Sequence, residues 1–422
     1  MAQTLKFGNK VWAAKEESVL AYNDINNNYK PLPFSFSRAS IGTRVNKDGL
    51  IETMGQDIAR IDYSDSDDGV LLLEPTSTNI VSYSEDFSQS FWSKGGSSVT
   101  SGFTSPDGGL NAFKLIEDTS TGVHKVVKPY TGPDGNANTA SIFVKADEIT
   151  KIGISTTESV SVLTSFDLSN GTLISSLSQD YSITPYLNGW YRISSTDTNG
   201  NRKMAVFLLN DNGNFSYQGD GTSGLYIYGA QLEQSSYPTS YIATSGSTVT
   251  RAAETCNNSG NSEVFNDSEG VLFANIAALA DDGTSRRINI SDNSGNNVVR
   301  LGYTTTSNQI IGVVAASGVQ AAMTYTLNDT KTTNKVLVKY KQNDFALWIN
   351  GFEVDTDLIG STPVGLSTLE FDLSGIDHFY GKTKELGYYD TALTDLELET
   401  LTSYRNWVSM VNELNLNIIY NG

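Results

Sequence analysis

The sequence predicts an all-β protein, and three observations carry that prediction. Its 422 residues include 37 Gly against 9 Pro, together with 21 Tyr and 17 Phe. Aromatic residues favour strands, and glycine favours the turns between them. Short runs of alternating apolar residues recur along the chain, separated by Asn-Gly, Asp-Gly and Gly-Gly pairs. This composition also argues against disorder, because disordered chains are poor in aromatic and β-branched residues.

The clearest single element is a hairpin built from residues 345–349 and 352–354, joined by Asn350 and Gly351. An Asn-Gly pair between two alternating runs is typical of a type I′ turn, which is the strongest short-range hairpin signal. A second Asn-Gly pair, at 188–189, precedes the strand-like run 190–193 and supports the same fold class.

One segment near the end departs from the β pattern. Thr394 and Glu397 have the spacing of a capping box, in which the two residues satisfy each other's backbone N–H groups. Apolar residues then recur at near-helical spacing, at Leu398, Leu401, Val408 and Val411. The pattern predicts one substantial helix over 394–412. The tail 416–420 is expected to add a last strand or to pack on a partner.

Two polar stretches suggest domain boundaries. Residues 62–69 form an acidic loop, and residues 243–263 are rich in Ser, Thr, Asn and Gly, which is typical of linkers. The predicted organisation is an N-terminal segment over 1–70, a β-sandwich over 71–245, a linker over 246–263 and a second β-sandwich over 264–422.

Charge and residue usage exclude several classes of function. The chain has 47 acidic and 28 basic residues and a formal net charge of −19, which is unsuited to binding the phosphates of a nucleic acid. Its single cysteine, Cys256, excludes an intrachain disulfide and a cysteine-rich zinc site. The two histidines, His124 and His378, lie far apart in sequence and are predicted to be surface or packed residues rather than catalysts. No apolar run approaches the ~20 residues of a membrane span.

Several phrases resemble tailed-phage virion structural proteins. The N-terminal phrases are FSRASIGTRVN at 36–46, DGLIE at 48–52, LLLEPTSTN at 71–79 and YSEDF at 83–87. The middle part carries NGWYR at 188–192 and ends with GLYIYGAQLE at 224–233 and YPTSYI at 237–242. This part resembles the carbohydrate-binding-module type of β-sandwich found in phage tail and fibre proteins.

The C-terminal part resembles a concanavalin A-like (laminin-G-like) domain. It carries WING at 348–351, followed by GYYDTALTD at 387–395. The resemblances together extend from about residue 34 to about 410. They imply two antiparallel β-sandwiches, of jelly-roll and concanavalin A-like type, with an N-terminal attachment segment and one C-terminal helix, in a virion component such as a tail or head fibre.

The resemblance implies a non-enzymatic virion protein that is synthesised in the cytoplasm of a bacterial host. Its N-terminal segment would dock on other virion proteins, and its sandwiches would contact a host-surface glycan. We expect a homo-oligomer, because adhesins multiply weak sites, and a trimer by analogy with fibres. One alternative is a purely architectural capsid decoration, collar or fibre-base protein. A weaker alternative is a glycan depolymerase.

Aromatic side chains are the candidate carbohydrate-binding residues, because an aromatic face stacks on the apolar face of a pyranose. Tyr226 and Tyr228 lie two apart in a predicted strand and would therefore face the same side. Trp92 borders a loop, and Trp348 precedes a turn. The alternative for these residues is a place in a sandwich core, and for Trp348 it is the favoured one.

Acidic clusters are weaker candidates for catalysis or metal binding. Asp395, Glu397 and Glu399 alternate, but on a helix residues two apart point to different sides. The acidic loop 65–69 does not fit an EF-hand, because Pro75 stands where the bidentate Glu should be. No cofactor is therefore expected, and a structural calcium ion between strands of either sandwich is left open.

Overall fold

The computed structural model describes residues 4–10, 12–23, 28–128, 132, 134–157, 163–178, 180–373, 375–404 and 407–414. The chain forms two compact units, which are described one at a time. Unit 1 comprises Met1–Ala39, Gly55–Pro75 and Ala253–Gly422, and unit 2 comprises Ser40–Met54 and Thr76–Ala252. Both are built from antiparallel strands, which confirms the all-β fold class.

The strands are short, and turns with glycine or asparagine at positive φ connect many of them. The first eighteen are β1 (Leu5–Gly8), β2 (Ala14–Lys15), β3 (Ser18–Asn23), β4 (Asn28–Ser37), β5 (Gly42–Val45), β6 (Ile51–Met54), β7 (Arg60–Asp62), β8 (Val70–Leu73), β9 (Ser77–Asn79), β10 (Ser93–Gly95), β11 (Ser97–Phe103), β12 (Ala112–Glu117), β13 (Thr121–Val123), β14 (Lys125–Lys128), β15 (Asn138–Lys145), β16 (Lys151–Ser155), β17 (Thr164–Asp167) and β18 (Thr172–Ser176). The others are β19 (Asp180–Pro185), β20 (Trp190–Asp197), β21 (Met204–Leu209), β22 (Ser216–Gln218), β23 (Gly224–Glu233), β24 (Val249–Arg251), β25 (Thr255–Asn257), β26 (Glu269–Ala278), β27 (Arg286–Ser291), β28 (Asn297–Tyr303), β29 (Gln309–Ala316), β30 (Val319–Thr326), β31 (Asn334–Lys341), β32 (Phe345–Ile349), β33 (Phe352–Asp357), β34 (Thr368–Glu370) and β35 (Gly381–Tyr389).

Unit 1 is a sandwich of two sheets around one apolar core. The larger sheet has the order β25-β4-β3-β1-β35-β26-β31-β32-β33, with β8 also on β35, β7 on β8 and β2 on β3. The smaller sheet has the order β30-β29-β28-β27-β34. Alternate residues of a strand face the same side, so Leu272, Ala274 and Ile276 of β26 enter the core together. They share it with Ile290 of β27 and Leu301 of β28.

The opposite face of β26 lies under a helix, α1 (Asp395–Thr402). Phe273 shares a second apolar cluster there with Trp348 of β32 and Leu398 of the helix. The backbone N–H of Thr394 donates to the Glu397 carboxylate at 2.9 Å, which confirms the predicted capping box.

The predicted single helix over 394–412 is wrong in its length. Helix α1 ends at Thr402, because Ser403 is extended, with φ −72° and ψ 161°. A second helix, α2, follows at Trp407–Glu413. Among the described residues, no helix is both long and apolar enough to cross a membrane. The tail 416–420, predicted as a strand or a packing segment, lies outside the described residues.

The structure divides the chain differently from the predicted domains. The N-terminal part does not stand apart, because β1 pairs with β35 and aligns Leu5 with Tyr388. The predicted linker 246–263 is also built into the sheets. In unit 2, β24 pairs with β9; in unit 1, β25 pairs with β4 and places Cys256 in the core.

Both Asn-Gly pairs form tight turns. Asn350 and Gly351 have φ of 50° and 92°, which is the pair of positive values that a type I′ turn requires. They join β32 to β33, so the predicted hairpin is confirmed. Asn188 and Gly189 also have positive φ, and they join β19 to β20.

Unit 2 is a second sandwich, formed by two six-stranded sheets. Their orders are β10-β14-β21-β16-β17-β18 and β11-β12-β23-β15-β20-β19. Val126 and Ile152 of the first sheet share an apolar core with Ile142 and Leu225 of the second. Three ribbons complete the paired strands described in this unit: β5-β6, β9-β24 and β13-β22.

Candidate functional site

Two of the predicted carbohydrate-binding aromatics lie in apolar cores. Trp92 is buried in unit 2, edge-on to Phe91, and its Nε1 donates to the carbonyl of Tyr83 at 2.9 Å. Trp348 is buried in unit 1 in the cluster beneath α1. Neither indole presents a face on which a sugar could stack, so the core alternative holds for both. The reason is size, since a large aromatic ring contributes most when it is taken out of water.

Tyr226 and Tyr228 face the same side of β23, as predicted, but that side is covered. Tyr228 is buried, and its hydroxyl lies 2.9 Å from both Glu85 Oε1 and Asp107 Oδ2. Burial, and then the neighbouring negative charge, raises the pKa of Tyr228 far above its ordinary value. Tyr226 is half-buried, with its ring centroid 4.8 Å from that of Phe103. This face of β23 is therefore a packing surface.

The carboxylates beside Tyr228 belong to an oxygen-rich cluster, the kind of donor set that calcium prefers. Burial opposes ionisation of Asp107, but hydrogen bonds from Ser105, Gly109 and Tyr228 outweigh it and hold the pKa of Asp107 below its usual range. In the part of the chain that the structure describes, no group of three or more His, Cys, Asp and Glu side chains is placed to hold a metal ion. The cluster is accounted for by its internal hydrogen bonds.

Of the two histidines and the cysteine, His124 and Cys256 are buried and His378 is partly exposed. His124 is buried, with Nδ1 2.6 Å from the carbonyl of Gly96. His378 is partly exposed, with Nδ1 3.3 Å from Asp372 Oδ2. Cys256 is buried, and burial raises the pKa of its thiol well above the ordinary value. The positions of the two histidines agree with the prediction that they are surface or packed residues.

A candidate site is a pocket of about 440 Å³ in unit 1, beside the Asn350-Gly351 turn. It lies where β30, the edge strand of the smaller sheet, approaches β33, the edge strand of the larger one. Sandwich edges of this kind leave side chains of both sheets exposed around a shared depression. We call this the hairpin pocket; its lining residues are Tyr325, Leu327, Asn328, Asp329, Thr332, Asn334, Ile349, Asn350, Phe352, Val354 and Leu414.

Two exposed aromatic rings line the hairpin pocket. Phe352, the first residue after the type I′ turn, is 71% exposed, and Tyr325 of β30 is 43% exposed. An exposed phenylalanine at the tip of a hairpin forfeits the stabilisation that burial would give it, about 1.5–3 kcal/mol. Exposed aromatic surface beside polar groups is typical of binding sites.

Hydrogen bonds hold the polar side of the hairpin pocket in place. Asn350 Nδ2 donates to Asn334 Oδ1 at 2.8 Å, and Asn334 Nδ2 donates to the carbonyl of Thr332 at 2.9 Å. Asp329 Oδ1 accepts the backbone N–H of Lys331 at 2.8 Å. Asn328 and Asp329 line the pocket beside these amides, and an amide and a carboxylate are suited to hydroxyl groups, which both donate and accept hydrogen bonds.

A second depression, of about 380 Å³, shares Asn350 and Phe352 with the hairpin pocket and adds Tyr404. The Tyr404 hydroxyl donates to Asn350 Oδ1 at 2.9 Å, and Lys335 Nζ lies 4.8 Å from the centre of its ring. Phe352 therefore borders two depressions, each with an aromatic ring of its own. The arrangement can accept an extended ligand.

Sequence reasoning missed this site although it singled out the hairpin that carries it. The signal that could have found it is Phe352 itself, a large apolar residue placed directly after an Asn-Gly turn. Tyr325 had no comparable signal, because its strand becomes an edge only through the sheet order.

Comparisons with known proteins do not assign a family. No protein-family model matches the chain, and neither does any curated protein sequence. Among solved structures, the CBM40 of the Ruminococcus gnavus IT-sialidase bound to α2,3-sialyllactose aligns with 34% of this chain and 92% of its own, at 15% identity and a TM-score of 0.29. Domains LG4-5 of the mouse laminin α1 chain align with 66% of this chain and 92% of their own, at 10% identity and a TM-score of 0.23. Sheep galectin-11 aligns with 30% and 86%, at 9% identity and a TM-score of 0.19.

Proposed function

We propose that the protein is a non-enzymatic glycan-binding protein and that the hairpin pocket is its glycan site. The observation that carries the proposal is the exposure of Phe352 and Tyr325 beside a fixed set of amide groups. The rings would stack on the apolar faces of pyranose units, and Asn328 and Asp329 would bind their hydroxyl groups.

The lining of the hairpin pocket favours a neutral sugar. Asp329 is the charged side chain among its lining residues, and the chain as a whole carries a net charge of −19. A sialic or uronic acid would be repelled here. The single carboxylate also supports binding rather than hydrolysis, because a glycosidase places two carboxyl groups across the scissile bond.

The biological setting that we propose is a phage virion, in which the protein is a fibre or appendage component that adheres to a host-surface glycan. This part of the proposal is supported by the phrases at 36–46, 71–79 and 224–233, which resemble virion structural proteins. Oligomerisation would multiply weak sites into firm adhesion. An antibody against the chain that fails to label purified particles would contradict this setting.

The glycan site is tested by screening the full chain against an array of neutral oligosaccharides and then titrating the best ligand into variants. We expect Phe352→Ala to weaken binding at least tenfold and Tyr325→Ala to weaken it several-fold, because each removes a stacking face. Phe215→Ala is the matched control, since Phe215 is an exposed phenylalanine of unit 2. It should change the affinity less than twofold.

Two results would contradict the glycan site. One is wild-type protein that binds no array glycan. The other is unchanged affinity in a folded Phe352→Ala, Tyr325→Ala double variant. Release of oligosaccharides from a host polysaccharide, lost when one carboxylate is changed, would instead show an enzyme.

A purely architectural role is the second candidate, and an exposed apolar cluster favours it. Val319, Leu358 and Ile359 are all more than half exposed, and Ile359 is 80% exposed. The backbone N–H of Ser361 donates to Gln320 Oε1 at 3.1 Å. The loop that carries Leu358 and Ile359 therefore lies beside the start of β30. Apolar clusters of this kind mark protein interfaces. Ile359→Lys should abolish incorporation into the particle, and leave glycan binding intact, if this cluster contacts another virion protein.

A further inference from the structure

A second pocket of unit 1 differs from the hairpin pocket in its charge. It has a volume of about 590 Å³ and lies on the face of the large sheet that the helices cover, with residues of β26, β31 and β35 on one side and of both helices on the other. Its size falls within the ~300–1,000 Å³ that is usual for small-molecule sites. We call it the helix-side pocket.

An unsatisfied polar atom points to a ligand in the helix-side pocket. Asn275 of β26 lines it and is only 3% exposed, and its side-chain carbonyl Oδ1 is buried without a hydrogen-bond partner among the described residues. Nearly all buried polar groups in native proteins are paired. The register of β26 against β35 shifts between Asn275 and Ile276, and a bulge of this kind redirects a side chain. A hydroxyl group of a ligand in the pocket would supply the donor that Asn275 Oδ1 lacks among the described residues.

The charges around the helix-side pocket favour a monoanion. Three lysines line it, Lys10, Lys335 and Lys384, against the two carboxylates of Asp68 and Glu385. The lining therefore has a net charge of +1, in a chain whose net charge is −19. Opposite charge in a half-enclosed pocket attracts a ligand strongly.

Two of the lysines have contacts within the protein that hold them at the pocket. Lys335 Nζ donates to the carbonyl of Ser403 at 2.8 Å, and Lys10 Nζ lies 3.4 Å from Asp68 Oδ1. These contacts set the positions of the ammonium groups of Lys335 and Lys10.

We propose that the helix-side pocket binds a sugar that carries one carboxylate, of the uronic acid type. The lysine ammonium groups bind its carboxylate, and Asn275 Oδ1 accepts a hydrogen bond from one of its hydroxyl groups. A neutral sugar lacks the first contact, and inorganic phosphate lacks the multiple hydroxyl groups and carries more charge than the lining balances. The inference is independent of the hairpin pocket, which shares no lining residue with it.

The test is calorimetric titration of the full chain with sodium glucuronate, glucose and inorganic phosphate. We expect glucuronate to bind at least tenfold more tightly than glucose or phosphate, with an affinity that falls as salt is added. Lys384→Gln should weaken glucuronate binding at least threefold, and Asn275→Ser should weaken it further. Because Asn275 is buried, the thermal midpoint of that variant is measured as well; if it does not fold, Lys384→Gln still decides.

Phe352→Ala separates this proposal from the glycan site, because it should leave glucuronate binding unchanged. Equal affinities for glucuronate and glucose would overturn the proposal, as would phosphate that binds as tightly as glucuronate. An unchanged affinity in Lys384→Gln would also overturn it. Absence of binding by all three probes would show that Asn275 is satisfied by water alone.

Discussion

Arg60 and Glu254 form a bidentate ion pair in the interior of unit 1. Arg60 Nε donates to Glu254 Oε1 at 2.8 Å, Nη2 donates to Oε2, and neither side chain has exposed surface. Glu254 also accepts from Arg38 Nη1 at 2.7 Å, and Glu74 pairs with Arg60 Nη1 at 2.8 Å. Burial opposes the charge on Arg60, but the carboxylates of Glu254 and Glu74 outweigh it and raise the pKa of Arg60 above its ordinary value. The two arginine charges and the two glutamate charges of this cluster therefore balance one another in a site that water does not reach.

Replacing Glu254 with Gln should destabilise unit 1 strongly. The change leaves Arg38 and Arg60 buried with the single carboxylate of Glu74, and an uncompensated buried charge costs about 3–5 kcal/mol of unfolding free energy. Urea unfolding followed by tryptophan fluorescence measures the loss. Glu269→Gln is the matched control, because the pair of Glu269 with Lys341 is partly exposed and is worth less than about 1 kcal/mol. Equal losses for the two variants would contradict the role of burial.

The fold class was predictable because its signals are local. Alternating runs and Asn-Gly turns define strands and hairpins within a few residues, and Asn350-Gly351 is the clearest case. Local signals of this kind could not predict that the N-terminal strands belong to the larger sheet of unit 1. Leu5 aligns with Tyr388, and no pattern in a short window specifies a partner so far along the chain. The predicted domain boundaries differ from the two units for this reason, because they set residues 1–70 apart from the sheet in which β1 pairs with β35.

The candidate site was only partly predictable, for a physical reason. Residue type identified aromatics as sugar platforms, but the large apolar area that suits Trp348 to a sugar also drives it into the core. What distinguishes Phe352 and Tyr325 is their position on edge strands, which depends on the order of strands in both sheets. The hairpin itself was predicted, and its exposed residue was not.

Tyr228→Phe should destabilise unit 2 by about 1–3 kcal/mol, because it removes the donor that Glu85 and Asp107 share in a buried site. Thermal or urea unfolding measures the change. Tyr181→Phe is the control; Tyr181 is exposed, so the loss should stay below about 0.5 kcal/mol. A Tyr228→Phe protein as stable as the wild type would show that the two carboxylates do not depend on this hydroxyl.

Because of Lys128, the unfolding free energy of unit 2 should depend on pH in the alkaline range. Burial, and then the charge of Arg202, lowers the pKa of Lys128 to about 8, whereas an unfolded lysine titrates near ~10.4. Between these values the unfolded chain binds more protons, so the contribution of Lys128 to stability rises with pH. Lys128→Met should therefore be more stable than wild type at pH 7, by on the order of 1–2 kcal/mol, with the difference shrinking toward pH 10.

Urea midpoints at pH 7, 8, 9 and 10 measure this difference. A constant difference for Lys128→Met would mean that Lys128 keeps its proton throughout.

Gly351→Ala should weaken both the hairpin and the glycan site. Gly351 has φ of 92°, and a Cβ there would lie 2.8 Å from Ser403 Oγ, so the turn or Ser403 must move. The strain should cost about 1–2 kcal/mol, and displacement of the adjacent Phe352 should reduce glycan affinity several-fold. Gly318→Ala is the control, because Gly318 also has positive φ but a Cβ there meets no atom within 4 Å. The Gly318→Ala variant should lose stability and keep its affinity for the glycan. If both variants bind glycan as tightly as wild type, the geometry of the Asn350-Gly351 turn does not position Phe352 for binding.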